Sequence, residues 1–193
     1  MKPTLIIFAK APRLGLVKTR LARDIGAVAA WSFHRNAVEH MVRRLSRDKR
    51  WRCLLAVTPG AAKWPPGVAC FPQGEGDLGE RMDRALRFPP PGPAVIAGLD
   101  IPHITPSHIA GAFKALGEHD AVFGPAEDGG YWLVGLKRRP MTPRIFQGVS
   151  WSTEHALADT LKNLPDGAST ALLETLMDVD DGESYEKWRK SAS

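Results

Sequence analysis

Three continuous apolar runs constrain this chain most: Thr4–Ala9 (TLIIFA), Trp51–Val57 and Ala94–Leu99. None alternates apolar with polar residues, so each reads as a strand covered on both faces. Helical patterns separate them. One begins at Lys18. A longer one runs from Ala27 to about Ser46 with Trp31, Val38, Met41, Val42 and Leu45 on one stripe. A third, Asp77 to Phe88, is halted by the Pro89-Pro-Pro-Gly-Pro93 cluster, which no helix crosses. Short strands are expected at Val68–Phe71, Ala121–Phe123 and Tyr131–Leu136, and a helix at Ser107–Leu116. Trp151–Glu154 reads as a helix start capped by Ser152 or Thr153, ahead of a segment around Leu172–Val179 and a last helix near Glu183–Arg189. Alternating strands and helices predict an α/β fold with a mainly parallel sheet. The 193 residues suffice for one well-buried domain, 1–193, and are too few for two ordinary ones.

With 44% hydrophobic and 24% charged residues, disorder is excluded as the main state. No apolar stretch reaches the ~18 residues of a membrane span, and the run after Met1 is too short for a secretory signal. Cys53 and Cys70 cannot form a disulfide framework or a zinc site alone and read as buried small apolar residues. A cytoplasmic setting is expected. The net charge of +5 is unevenly spread: residues 1–52 carry 13 Lys/Arg against 3 Asp/Glu, whereas the remainder is acidic. Aromatics do not alternate with the basic residues as in a base-stacking platform, which argues against nucleic acid. A small anionic ligand gripped by basic residues, with acids opposite holding a metal, fits the asymmetry better.

In such sheets ligands bind at the carboxyl ends of the strands, here the loops after Ala9, Leu99 and Phe123. The first, Lys10-Ala-Pro-Arg-Leu-Gly-Leu-Val17, leads into Lys18-Thr-Arg20. A strand feeding a loop and a helix offers backbone N–H groups, and Lys10, Arg13, Lys18 and Arg20 add the charge a diphosphate needs. The glycines of a Walker A loop or a GxGxxG fingerprint are absent. In Gly98-Leu-Asp-Ile-Pro102, Asp100 follows a buried strand directly, a position suited to a divalent cation bridging phosphates, though a turn Asp is equally compatible. Gly124-Pro-Ala-Glu-Asp-Gly-Gly130 sets Glu127 and Asp128 beside Gly129 and Gly130, where backbone can approach a ligand closely. Asp178-Val-Asp-Asp181 could supply a second metal contact through Asp178 or Asp180. No nucleophile triad stands out. His34 and His40 read as surface positions on a helix, and His103, by its nearness to Asp100, is the one histidine with a claim on the site.

Five ordered segments, FAKAPRLGLVKTRLA, QGEGDLGERM (Gln73–Met82), GLDIP, GPAEDGGYWLVGL (Gly124–Leu136) and IFQGVSWST (Ile145–Thr153), resemble the DUF2064 family of small glycosyltransferase-like proteins. The resemblance covers Leu5 to about Asp181. It implies a Rossmann-like α/β/α sandwich of the GT-A, nucleotide-diphospho-sugar transferase type, related to the molybdenum-cofactor nucleotidyltransferases. It further implies that Lys10, Lys18 and Arg20 surround nucleotide phosphates and that Asp100 binds metal. By the same resemblance Glu127 and Asp128 lie near the sugar or second phosphate, Gly129 and Gly130 allow close approach, and Gly79, Glu80 and Arg81 open a nucleotide-side helix. Leu99 and Ile101 depart from the family, which tends to place a small polar residue beside the aspartate.

The expected function is therefore metal-assisted glycosyl transfer from a nucleotide-diphospho-sugar. Mg²⁺ or Mn²⁺ would sit on Asp100, with Asp180 or Asp178 as a second contact, the loop cations would stabilise the leaving diphosphate, and Asp128 or, with a weaker claim, Glu127 would act as base or orient the sugar. Two alternatives share the fold: a nucleotidyltransferase joining an NTP to a phosphorylated acceptor, and a non-catalytic nucleotide-binding module.

Overall fold

The computed structural model describes residues 2–60 and 62–191. Its chain order is β1 (Thr4–Ala9), α1 (Thr19–Ile25), α2 (Ala27–Ser46), β2 (Arg52–Val57), β3 (Ala69–Pro72), α3 (Leu78–Arg87), β4 (Ala94–Ala97), α4 (Pro106–Glu118), β5 (Ala121–Pro125), β6 (Tyr131–Leu136), α5 (Ala156–Lys162), β7 (Thr170–Leu172) and α6 (Gly182–Ser191). The seven strands form one sheet in the order β3-β2-β1-β4-β6-β5-β7. β6 runs antiparallel to both of its neighbours, and every other pairing is parallel. The mainly parallel α/β sheet expected from the apolar runs is what forms.

Those runs are buried because helices cover both faces of the sheet. Leu5, Ile7 and Ala9 of β1 face Val38, Met41, Val42 and Leu45 of α2, with Ile109, Ala112 and Leu116 of α4 on the same side. Ile6 and Phe8 point the other way, toward Met82, Ala85 and Leu86 of α3 and Leu157 and Leu161 of α5. This is the period-two alternation of a strand satisfied on each side by an amphipathic helix. A smaller cluster of Leu21, Ala30, Phe33 and Val179 joins α1 and α2 to the chain's last turns, where Tyr185 and Trp188 pack edge-on against Phe33.

Several local expectations change. Trp151–Glu154 is a turn rather than a helix start. Ser152 sits at φ 61, outside helical space, and α5 begins at Ala156 with His155 as an N-cap that makes no side-chain capping bond. Thr153 Oγ1 instead donates to the Ser150 carbonyl at 2.7 Å. The Leu172–Val179 segment contributes only the end of β7 and an isolated bridge between Ala126 and Leu176. Cys53 is half-buried, but Cys70 is exposed, because β3 is an edge strand whose inward position falls on Phe71.

Candidate active site

Strand order fixes where a ligand can enter. Successive connections run outward from β1 to β2 and β3, then return to place β4 on the other side of β1. The two carboxyl ends at this reversal leave a crevice between them. A cavity of about 370 Å³ opens there, bordered by Lys10, Lys18 and His34 together with Asp100, Asp128, Asp178 and Asp180. Phe8, Leu78, Met82 and Trp151 add apolar surface to its wall.

Lys18 is the centre of its charged side. It is the N-cap of α1 and holds left-handed backbone, φ 48 and ψ 49, which is uncommon outside glycine and asparagine. Its side chain is 5% exposed, and its ammonium contacts Asp100 Oδ1 and donates to Asp180 Oδ1 at 2.7 Å. The two acids are 80 positions apart in the chain. The Val179 N–H brings them together by donating to the Asp100 carbonyl at 2.9 Å. Burial works against the charge on Lys18, yet Asp100 and Asp180 outweigh it and raise its pKa above the usual lysine value. The same ammonium holds Asp100 below the usual carboxylate range, against the opposing cost of desolvating that carboxylate. Asp178 is pushed up to about 6, by burial first and then by repulsion from Asp180 and Asp128. The cleft thus holds more carboxylate than its two lysines neutralise.

Asp128 borders the cavity, with Oδ1 accepting from the Gly130 N–H at 2.9 Å in an Asx turn that fixes the carboxylate. Gly130 lines the cavity beside it. Gly129, at φ 82, has another duty. A Cβ there would come within 2.3 Å of the Glu154 carbonyl oxygen, so its close approach is to the 150–155 turn. Glu127 is exposed and lies outside the cavity wall, where its charge acts on Lys187.

Other residues singled out in the sequence stand apart from the cleft. Arg20 is exposed, and Arg13 Nη2 reaches the Pro59 carbonyl at 3.4 Å. At the start of α3 the three marked residues organise the helix itself. Glu80 forms a capping box with Asp77, Arg81 bonds the Asp77 carbonyl and Gln73 Oε1, and Gly79 lies so close to Phe146 and Trp151 that a Cβ would clash at 2.8 Å. On that helix Leu78 and Met82 reach the cavity. His103 borders a separate depression on the outer side of α2. Leu99 and Ile101, 4% and 2% exposed, pack into the core on either side of Asp100 and leave it to face the cleft.

His34 corrects the sequence reading. It is buried, borders the cleft, and its Nε2 donates to the Lys10 carbonyl at 2.9 Å, clamping the basic loop to α2. Desolvation lowers its pKa, which keeps the ring neutral at pH 7. The signal was present in the helical spacing Ala30, His34, Val38, Met41, Leu45. Gln73 is a second omission: buried, it donates from Nε2 to the carbonyls of Ala9 and Ala56 and ties the ends of β1 and β2 together.

Residues 38–153, more than half the chain, match a family model described as an uncharacterized protein conserved in bacteria, DUF2064. The chain belongs to the DUF2064 family. Among solved structures, a Desulfovibrio desulfuricans protein provisionally named a nucleotide-diphospho-sugar transferase superposes with a TM-score of 0.90 at 27% identity, over 100% of this chain and 88% of its own. The 4-diphosphocytidyl-2C-methyl-D-erythritol synthase of Anaerococcus prevotii gives 0.62 at 9% identity, over 98% and 95%. A manganese complex of a Mycobacterium tuberculosis protein gives 0.56 at 14%, over 99% and 100%. No curated protein matches. The DUF2064 chain therefore has a nucleotide-diphospho-sugar transferase-like fold, shared with cytidylyltransferases. Among the described residues no helix is long and apolar enough to cross a membrane.

One of these neighbours was solved with manganese, and the donors in this cleft are of the kind a divalent cation takes. Among the described residues no cluster of three or more His, Cys, Asp or Glu side chains is poised as a ready-made cage. Asp100 and Asp180 nevertheless aim hard oxygen ligands at one point, now shared by the Lys18 ammonium. Mg²⁺ and Mn²⁺ sites of nucleotide enzymes commonly use one or two carboxylates and take their other ligands from water and phosphate.

Proposed function

We propose that this protein is a metal-assisted glycosyltransferase that uses a nucleotide-diphospho-sugar donor. The observation carrying this reading is the convergence of Lys18, Asp100 and Asp180 at the reversal of strand order, in a cavity whose other walls include Lys10 and Asp128. Asp100 and Asp180 would hold the cation, which supplies Lewis-acid neutralisation of the leaving diphosphate. Lys10 and Lys18 bring positive charge to the same phosphates, in a site where fixed charges act more strongly than in water. The His34 bond to the Lys10 carbonyl keeps that loop in place before the ligand arrives. Asp128, fixed by its Asx turn at the cleft wall, is the carboxylate placed to orient a sugar hydroxyl or take the acceptor's proton. Glu127 has the weaker claim because it is exposed and does not line the cavity.

The same parts could serve nucleotidyl transfer, and the products separate the two reactions. Incubation with a panel of nucleotide-diphospho-sugars and Mn²⁺ is expected to release nucleoside diphosphate, and Asp100→Asn to abolish the release. Pyrophosphate formed from an NTP and a sugar phosphate, with every nucleotide-sugar left intact, would overturn the reading in favour of the nucleotidyltransferase. Nucleotide binding with no turnover under any metal would leave a binding module.

A further inference from the structure

We propose that the Lys18 ammonium is the resident counter-ion of the Asp100–Asp180 pair and competes with a divalent cation for it. The inference rests on the reading that this pair takes such a cation. The ammonium touches one oxygen of each carboxylate, so it fills the point that a cation shared by both would occupy. Cation entry at that point therefore requires the lysine to leave.

The fold holds Lys18 there firmly. Its side chain is almost wholly buried, and its backbone stays in left-handed space at a cost that a lysine meets only when its surroundings impose it. Withdrawal of the ammonium alone would leave two acids facing each other, with Asp178 and Asp128 bordering the same cavity. A divalent cation removes that repulsion. The displaced ammonium then needs an acceptor, and a phosphate in the adjoining cavity provides one. Lys18 thereby opposes the cation when it comes alone and assists it when a diphosphate comes too. A lysine that only bound phosphate would leave cation affinity unchanged when removed. One that merely braced the fold would lower it, because the two carboxylates would drift apart.

The deciding measurement is Mn²⁺ binding without nucleotide, read from the free-ion electron paramagnetic resonance signal of the full chain. Lys18→Met is expected to bind Mn²⁺ about tenfold or more tighter than the parent, within the usual range of coupling between linked sites. Lys18→Gly removes the ammonium and also suits the left-handed backbone, so it should fold readily and tighten binding equally. The unmodified protein gives a third readout: the ¹⁵N resonance of the Lys18 ammonium should shift as Mg²⁺ saturates the site. Equal or weaker Mn²⁺ affinity in the folded variants overturns the proposal. So does a Lys18 resonance unmoved by saturating Mg²⁺, or no Mn²⁺ binding in any of the proteins. Metal-dependent turnover of a nucleotide-sugar alongside any of the first two results would sink the competition and leave the proposed function standing.

Discussion

Val179 and Asp100, 79 positions apart, are joined by a backbone hydrogen bond of 2.9 Å from the Val179 N–H to the Asp100 carbonyl. Val179 is fully buried beside Leu21 and Phe33, so this link is packed as well as bonded. Through it the last stretch before α6 delivers Asp178 and Asp180 to the carboxyl end of β4. Val179→Pro deletes the donor. It should cost about 1 kcal/mol, the usual net worth of a hydrogen bond, and weaken Mn²⁺ and nucleotide-sugar binding together. Denaturant unfolding and calorimetric titration measure the two effects; stability lost with binding intact would show that Asp180 is held by other contacts.

The α3 capping box makes a contrasting prediction. Asp77 accepts from the Glu80 N–H at 2.8 Å while the Glu80 carboxylate accepts from the Asp77 N–H at 3.0 Å. Asp77→Ala should lower stability by about 1 kcal/mol and leave Mn²⁺ affinity unchanged, because the pair lies outside the cleft. A loss of Mn²⁺ affinity in this variant would mean that the start of α3 belongs to the site after all.

His34 gives stability a pH dependence of defined sign. Its folded pKa is depressed by burial, so the unfolded chain binds the proton more readily. This contribution is complete above the ordinary histidine value of about 6.5 and is lost as pH falls below it. His34→Asn should flatten the unfolding free energy between about pH 7 and 5 relative to the parent. An imidazole resonance of His34 that titrates at or above the ordinary value would contradict the burial argument.

The thiols should differ sharply toward an alkylating reagent. Cys70 is exposed, whereas the half-buried Cys53 is pushed up to about 12 by desolvation. Under native conditions one thiol per chain is expected to react at pH 8, mapped by peptide mass to Cys70, and two after unfolding. Rapid native labelling of Cys53 would show that β2 opens to solvent.

Ser152 holds φ 61 at the cavity wall. Ser152→Gly should raise stability by up to about 1 kcal/mol, because glycine adopts this conformation without steric cost. A melting temperature at or below the parent's would count against strain at this turn.

Much of this architecture can be read from the chain, and the reasons are physical. TLIIFA admits no solvated face, so it had to become a covered strand, and α2 spans Ala27–Ser46 because its stripe and the preceding Gly26 mark both its face and its start. Lys18 and Asp100 could be placed at one crevice because strand ends at a reversal of order converge. What the sequence hides is direction within a loop. Arg13, Lys18 and Arg20 are equal as charges, yet the left-handed turn at Lys18 sends one inward and leaves the others outside. Gly79 and Gly129 look like openings for a ligand, but each admits a neighbouring turn of the protein itself. His34 reads as a surface residue because a polar residue on a helix is usually solvated, and only the tertiary approach of the Lys10 carbonyl makes it a core residue.

The reversed course of β6 sets where this scaffold tolerates change. Because that strand travels against the rest, the hairpin joining it to β5 arrives at the mouth of the crevice, while the peptide leaving it, with Arg138 bonded to the Pro89 and Pro90 carbonyls, falls on the opposite rim. Lengthening the 126–130 hairpin would remodel what the protein admits, whereas lengthening the 137–144 stretch would decorate a remote surface. A designer seeking altered selectivity and one seeking a tethering point would thus work at opposite ends of a single strand.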